Sequence, residues 1–236
     1  MLEQLESEAA QAPDASKGLN IPFGELMLLF PTAIVKNNIG RSFTKKEMDC
    51  LLNIPMMPTK VNNTVFVNDN SVDVIQSINF DVAASIGLEE LKDIRKFCED
   101  QLINYMEEIE GIDTDRAPLE ITQAWVNRIV PQGYHDAHNH KNSYLSGVLY
   151  IKCLPNDSIQ FTNRNLMFDT MLEFPKKKIT DVNAEVVSVP VQEGDFIIFP
   201  SLVPHQVGIN ETNEVRISLS FDTFPARLPS LYPPFK

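Results

Sequence analysis

Residues 135–152 read HDAHNHKNSYLSGVLYIK, in which a cluster of histidines runs directly into an apolar stretch of strand-forming residues. The chain has four histidines, and three of them lie in this segment. Because the side chains at i and i+2 of an extended segment point to the same side, His138 and His140 can direct their imidazoles to one point. The strand that follows places the cluster at the rim of a sheet, where ligands are held rigidly.

Other short β-forming runs surround this segment from Pro118 onward, among them ITQAWVNRIV, SIQFTN, EVVSVPV, DFIIFP and VRISLSFDTF. Turn-forming sequences such as PQG, PND and EGD separate the runs, and their spacing leaves no room for βαβ crossovers. We therefore expect an antiparallel, cupin-like jelly roll, a double-stranded β-helix, over about 119–223.

A helical layer is predicted before the β region, at about 40–111. Thr44 and Glu47 have the spacing of a capping box, which starts a short helix that ends near Leu52. Apolar residues then recur at every third or fourth position from Leu88 to Ile109, which predicts an amphipathic helix of about 23 residues. The fold class is thus α+β, and the helix could serve as a homodimer contact or as core.

Length and charge limit the remaining organisation. The 236 residues suit one domain, expected over 19–236, preceded by a flexible acidic arm at 1–18. The net charge of −12 argues against nucleic acid or an anionic membrane as a partner. Three cysteines without a CxxC pair, no apolar run long enough to span a membrane and no signal peptide favour a soluble, cytoplasmic protein.

The fourth histidine lies near a second group of polar residues. His205 can complete a metal site with His138 and His140 from a neighbouring strand, since neutral imidazole binds Fe, Zn, Cu and Ni. Arg216 and Ser218 share one face of their strand, and such a pair binds a carboxylate through charge-assisted hydrogen bonds. The sequence therefore predicts a metal site beside an anion site.

The pattern His-x-[His or Asp], a long gap and then His-x10-Arg-x-Ser resembles that of the Fe(II)/2-oxoglutarate-dependent dioxygenases. More narrowly, HNHKNSYLSGVLYIK at 138–152 and EGDFIIFPSLVPHQVGINETNEVRISLSF at 193–221 are similar to a bacterial and phage branch of that superfamily. The early segment LLFPTAIV at 28–35 resembles the amino-terminal strand of the same branch.

The resemblance implies an oxygenase that uses Fe(II), 2-oxoglutarate and O2. It implies that His138 and His205 bind the iron and that Arg216 binds the far carboxylate of 2-oxoglutarate, assisted by Ser218. Tyr150 is a candidate hydroxyl partner for the same carboxylate, although it could equally be a core residue. The implied reaction hydroxylates a substrate, a small molecule or a protein side chain, and releases succinate and CO2.

The third metal ligand departs from the superfamily pattern. Asp or Glu usually stands two residues after the first histidine, but this chain has His140 there. We favour a three-histidine site of His138, His140 and His205, with Asp136 as the alternative source of a carboxylate. Three histidines with an open position also describe catalytic zinc.

Two other functions fit the histidines. The chain could be a cupin-type jelly roll that uses zinc or manganese for non-oxidative chemistry or for binding alone. It could also be a non-catalytic protein with a degenerate site. The cupin hypothesis does not explain Arg216 and Ser218 at their distance from His205, and for this reason it ranks below the oxygenase hypothesis. The acidic arm and the Asn-rich loops fit the non-catalytic alternative.

Overall fold

The computed structural model describes residues 19–26, 31–58, 75–77, 86–163, 175–180 and 183–226. The acidic arm predicted at 1–18 and the proline-rich tail from 227 lie outside the described residues. The chain divides into two compact units, Met1–Ala33 and Ile34–Lys236. In the first unit, β1 (Leu19–Ile21) pairs with β2 (Gly24–Leu26) as an antiparallel hairpin.

The second unit contains two antiparallel sheets, as predicted for a jelly roll. The larger sheet has the strand order β3-β11-β8-β13-β6-β5-β4, and the smaller one has the order β10-β9-β12-β7. Their bounds are β3 Val35–Asn38, β4 Met56–Pro58, β5 Ile75–Ser77, β6 Leu119–Ile129, β7 His135–His138, β8 Leu145–Lys152, β9 Ser158–Thr162, β10 Val186–Pro190, β11 Asp195–Pro200, β12 His205–Val207 and β13 Arg216–Pro225. The prediction of a double-stranded β-helix is confirmed.

A buried apolar cluster joins the two sheets. Its members come from β8, β9 and β11 and from the turn after β10: Tyr150, Ile159, Phe161, Val191, Ile197 and Phe199. Burying a large apolar side chain contributes about 1.5–3 kcal/mol. The cluster is therefore a main source of stability for the second unit, Ile34–Lys236, which we call the β unit. The polar residues of β7 and β12 pack against this cluster.

The first helix, α1 (Lys45–Asn53), begins at the predicted capping box. The Glu47 backbone N–H donates to the Thr44 hydroxyl at 3.2 Å, and the Thr44 backbone N–H donates to the Glu47 carboxylate at 2.7 Å. Arg41 donates two further hydrogen bonds to the same carboxylate, at 2.6 and 2.9 Å. Glu47 is buried as a result, and its contacts fix where the helix starts.

The long amphipathic helix forms in three pieces. A 3₁₀ turn (Glu89–Leu91) leads into α2 (Lys92–Asn104), which continues as a π-helical turn (Tyr105–Ile109). The apolar face is buried within the chain at Ile94, Cys98 and Leu102, so this face acts as core. A homodimer through another surface stays a prediction.

The predicted amino-terminal strand starts later than LLFPTAIV suggested. Residues 31–34 are irregular, and β3 begins only at Val35, where it pairs with β11. Pro31 lacks a backbone N–H and so cannot donate to a sheet ladder, which favours an irregular start. Residues 28–30 lie outside the described part of the chain.

The sequence predicts neither a membrane-spanning helix nor a disulfide bond. Among the helices that the structure describes, none has both the length and the apolar character needed to cross a bilayer. Cys50, Cys98 and Cys153 are all free thiols.

Gly147 in β8 is required by close packing against the neighbouring strand. A Cβ atom at this position would lie 2.3 Å from Cζ of the Phe221 ring. Phe221 is fully buried and stacks on Phe196 with 5.9 Å between ring centroids. The ring therefore occupies the space that any larger side chain at 147 would need.

We expect Gly147→Ala to destabilise the β unit. Overpacking in a filled core typically costs about 1–3 kcal/mol, and the rigid Phe221 ring has little room to move. The free energy of unfolding measured by urea denaturation should fall by that amount. Gly208→Ala is the matched control, because a Cβ there meets no atom within 4 Å. Equal stability of the two variants would contradict this account of Gly147.

Candidate metal centre and anion site

The pairing of β7 with β12 brings the distant histidines together. His205 is the direct register partner of His138. Candidate ligand atoms of His138, His140 and His205 all lie within 4.8 Å of one another. The centroid of the His138 ring is 4.3 Å from that of His205 and 5.1 Å from that of His140. The three histidines grouped from sequence therefore form one cluster in the fold.

A β-bulge decides which other β7 side chains join this cluster. His138 pairs with His205 but His135 pairs with Val207, so β7 has one residue more than β12 across this stretch. Simple alternation would place His135 and His138 on opposite faces, yet their ring centroids are only 4.0 Å apart. Asp136, the alternative carboxylate ligand, is exposed, and its side chain is not in the metal-ligand cluster.

Each ring of the cluster is anchored through its Nδ1 atom. The three acceptors are the Asp136 carbonyl for His138 (2.7 Å), the Val203 carbonyl for His205 (3.1 Å) and the Asp222 carboxylate for His140 (2.6 Å). A carbonyl or an ionised carboxylate only accepts, so each Nδ1 carries a proton, and the Nε2 of each ring presents a lone pair when that ring is neutral. Metal-binding histidines are commonly arranged in this way.

The Nε2 atom of His140 is buried and has no hydrogen-bond partner among the described residues. An unpaired buried acceptor costs free energy, and a metal ion at the cluster would satisfy it. The donor set of three imidazoles suits Fe, Zn, Cu or Ni. The residues present therefore fit a metal ion.

Burial keeps the imidazoles of His135, His138 and His205 neutral. Desolvation, together with the neighbouring histidines, lowers the pKa of His205 to about 2 and that of His135 to about 3. Desolvation also lowers the pKa of His138. Neutral imidazole is the form that binds metals, so these rings hold a free lone pair at physiological pH.

Residues from the large sheet hold His140 on one face of its ring and at its Nδ1 edge. Trp125 in β6 stacks on the ring with a centroid distance of 5.6 Å and an interplanar angle of 26°. Asp222 in β13 accepts from its Nδ1–H and also from the Ser146 hydroxyl, at 2.6 Å each. Trp125 is the one tryptophan of the chain, so its fluorescence reports directly on this site.

Arg216 is buried, with 3% of its surface exposed, and only part of its hydrogen-bonding capacity is used. Its Nη1 atom lies 3.2 Å from Oδ1 of Asp157. Neither Nη1 nor Nε has a hydrogen-bond partner of acceptable geometry among the described residues. The guanidinium carbon lies 5.1 Å from the centroid of the Tyr150 ring. Arg216 thus presents buried N–H donors that an added anion could accept from.

Tyr150 is fully buried beside this guanidinium, and its hydroxyl has no hydrogen-bond partner within the described residues. Burial raises the pKa of Tyr150 above the ordinary phenol value, despite the opposing effect of Arg216. The hydroxyl therefore keeps its proton and can donate it to an anion. Tyr150 can therefore fill both of its predicted roles. Its ring packs in the apolar cluster as a core residue, and its hydroxyl is left to bind a carboxylate.

One cavity connects the metal cluster with the anion donors. It has a volume of about 40 Å³, and its lining includes the three clustered histidines, Tyr150, Arg216 and Ser220. Ser218 is buried but is not among the lining residues, so Ser220 is the hydroxyl that faces the cavity from β13.

Three residues of the site were not predicted from the sequence: Asp157, Ser220 and Asp222. Ser220 and Asp222 carry a usable signal, because they continue the i, i+2 alternation that begins at Arg216 and Ser218. Asp157 gives no such signal, since it lies in a turn far from Arg216 along the chain. Its carboxylate is held by the backbone N–H groups of Ser158 (2.9 Å) and Leu154 (3.3 Å).

Comparison with known proteins places this region in a family. Residues 123–222 match the model of a family described as "Putative 2OG-Fe(II) oxygenase". The matched segment contains the three clustered histidines, Tyr150 and Arg216. No curated protein matches the chain.

Solved structures share the fold at low sequence identity. A prolyl hydroxylase from Trichoplax adhaerens, in complex with a hypoxia inducible factor peptide fragment, has a TM-score of 0.54 and 16% identity over 81% of this chain and 82% of that one. HygX from Streptomyces hygroscopicus, with nickel, 2-oxoglutarate and hygromycin B bound, has a TM-score of 0.51 and 12% identity over 83% and 84%.

A third structure, an oxidoreductase of the 2OG-Fe(II) oxygenase family from Burkholderia pseudomallei, has a TM-score of 0.50 and 14% identity over 75% of this chain and 74% of that one. At such identities the likeness establishes the double-stranded β-helix. Within residues 123–222 the sequence is similar to the 2OG-Fe(II) oxygenases, because that segment matches the model of the family.

Proposed function

We propose that the protein is an Fe(II)- and 2-oxoglutarate-dependent oxygenase that hydroxylates a small molecule or a protein side chain. One observation carries the assignment of residues: three anchored imidazoles and a buried guanidinium with unpaired donors line the same cavity. In this proposal His138, His140 and His205 hold the iron. Arg216 and Tyr150 bind the distal carboxylate of 2-oxoglutarate.

When bound, iron, 2-oxoglutarate and O2 supply the oxidising chemistry, with one oxygen atom entering the substrate and the other entering succinate as CO2 leaves. The protein's own part is to orient the reactants and to exclude water. The tightly packed apolar cluster of β8, β9 and β11 forms one wall of the cavity and excludes water from that side. The anchored Nδ1 atoms keep the three rings in one orientation.

The anion donors are suited to a carboxylate. The Asp157 carboxylate is fixed by two backbone N–H groups and so holds one edge of the Arg216 guanidinium in place. The Nε donor is left for an incoming anion. Ser220 accepts from the Asn127 side chain at 3.0 Å, which leaves its own proton available to donate. We retain Ser218 as an assisting residue from the sequence prediction, with Ser220 as the hydroxyl nearer the cavity.

The substrate class rests on general features. The net charge of −12 disfavours a polynucleotide. Structures of similar fold hold hygromycin B in one case and a peptide fragment in another, which supports a small molecule or a protein side chain.

The first prediction concerns the metal. Titration with Ni(II), or with Fe(II) under anaerobic conditions, should raise the melting temperature of the protein and quench the fluorescence of Trp125. A ligand present at 100 times its dissociation constant stabilises by about 2.7 kcal/mol. His205→Ala should abolish both effects, because it removes the imidazole opposite His138.

Asp136→Asn is the control for His205→Ala, because it alters the alternative metal ligand, which lies on β7 with His138. This variant should bind metal as the parent protein does. Loss of metal in Asp136→Asn with retention in His205→Ala would reverse the ligand assignment.

The second prediction concerns the anion site. Arg216→Gln should weaken 2-oxoglutarate binding to the Ni(II)-loaded protein by about tenfold or more, since a charge-assisted hydrogen bond contributes about 1.5–3 kcal/mol. Isothermal titration calorimetry measures the affinity directly, and the affinity for Ni(II) should not change.

Arg216→Gln leaves Asp157 as an unpaired buried carboxylate, so the double variant Arg216→Gln/Asp157→Asn is the better folded test. Arg95→Gln, which removes a partly exposed cation from α2, is the control for the loss of one positive charge. The double variant has the same net charge as the parent protein, and if it bound 2-oxoglutarate as tightly as the parent does, Arg216 would have no place in the site.

A further inference from the structure

His140 stands where the superfamily pattern has a directly bound carboxylate, and it donates its Nδ1–H to Asp222 at 2.6 Å. We propose that Asp222 is a positioning residue that supplies, through His140, the negative charge that such a carboxylate would give to the metal. This inference rests on the proposed metal site and extends it. It assigns a role in metal binding to a residue on a third strand, β13.

The carboxylate of Asp222 is fixed before any metal binds. Its Oδ1 atom accepts from both His140 and Ser146 at 2.6 Å, and the residue is 8% exposed. The Ser146 hydroxyl lies 2.8 Å from that of Ser201, and the Ser201 carbonyl accepts the backbone N–H of His140 at 2.9 Å. The main chain and the ring of His140 are therefore held by one network.

The charge of Asp222 is otherwise uncompensated. Among the described residues, its one ion-pair contact is with His140, and no lysine or arginine pairs with it. A buried carboxylate without a cationic partner is costly. A divalent cation on the far side of the His140 ring would supply the missing positive charge. The imidazole in turn becomes a stronger ligand when its N–H donates to a carboxylate.

The chain offers a substitution that removes this charge alone. Both hydrogen bonds end on the same oxygen of Asp222, so Asp222→Asn can keep them through its amide oxygen. Asp195→Asn is the matched control: Asp195 is also buried, at 2% exposure, but it pairs with Lys36 on the far strands β11 and β3. The two variants change the net charge of the protein equally.

We expect Asp222→Asn to weaken Ni(II) binding by about 10- to 100-fold, the range found when an outer partner of a metal-binding histidine is lost. Quenching of Trp125 fluorescence measures the affinity, and the melting temperature of the metal-free protein verifies folding. Asp195→Asn should bind Ni(II) as the parent protein does. Asp222→Ser, which keeps a small hydrogen-bonding group, replaces Asp222→Asn if the latter does not fold.

A double-mutant cycle shows whether Asp222 supplies negative charge to the metal through His140 or has a purely structural role. Without the imidazole the carboxylate has no path to the metal, so Asp222→Asn should have no further effect on Ni(II) affinity in a His140→Ala background. Equal weakening in both backgrounds would overturn the proposal. Parent protein that binds Ni(II) no more tightly than Asp222→Asn does would also overturn it. A parent protein that binds no divalent metal at all would instead refute the metal site itself.

Discussion

The register of β7 against β12 sets the geometry on which the rest of the site depends. It places His138 opposite His205, although the two residues are far apart in sequence. The bulge in β7 then turns Asp136 towards solvent and His135 towards the cluster. Because a one-residue shift in a strand reverses the side on which every side chain lies, another register would disperse the ligands.

The strand β13 connects the metal centre with the anion site. Arg216 lies at its start, near Tyr150 and Asp157, and Asp222 lies towards its end, against His140. Both charged residues are on the same face and both are buried. The strand therefore carries a buried positive group and a buried negative group at a fixed separation, and we propose that they serve the co-substrate and the metal ligand respectively.

The close packing inside the β unit explains why the side chains of Arg216 and Asp222 have little freedom to move. The Gly147 and Phe221 contact locks β8 to β13 on one face of the large sheet, and the Tyr150 cluster fills the other face. Close packing of this kind leaves little freedom for the rotation of buried polar side chains. Each polar residue of the site consequently keeps one hydrogen-bonding arrangement.

Four features could be predicted from the residues alone: the antiparallel β class, the capping box of α1, the grouping of His138 and His140 with His205, and the candidacy of Arg216. Those features follow from local periodicity, spacing and the chemistry of residue types. The tertiary structure alone decided that Asp136 is excluded, that Ser220 lines the cavity, and that Asp157 and Asp222 pair with Arg216 and His140. Those outcomes depend on strand register, on a bulge and on contacts between residues distant in the chain. Local alternation indicates only that Ser220 and Asp222 share a face with Arg216, and it does not identify their partners.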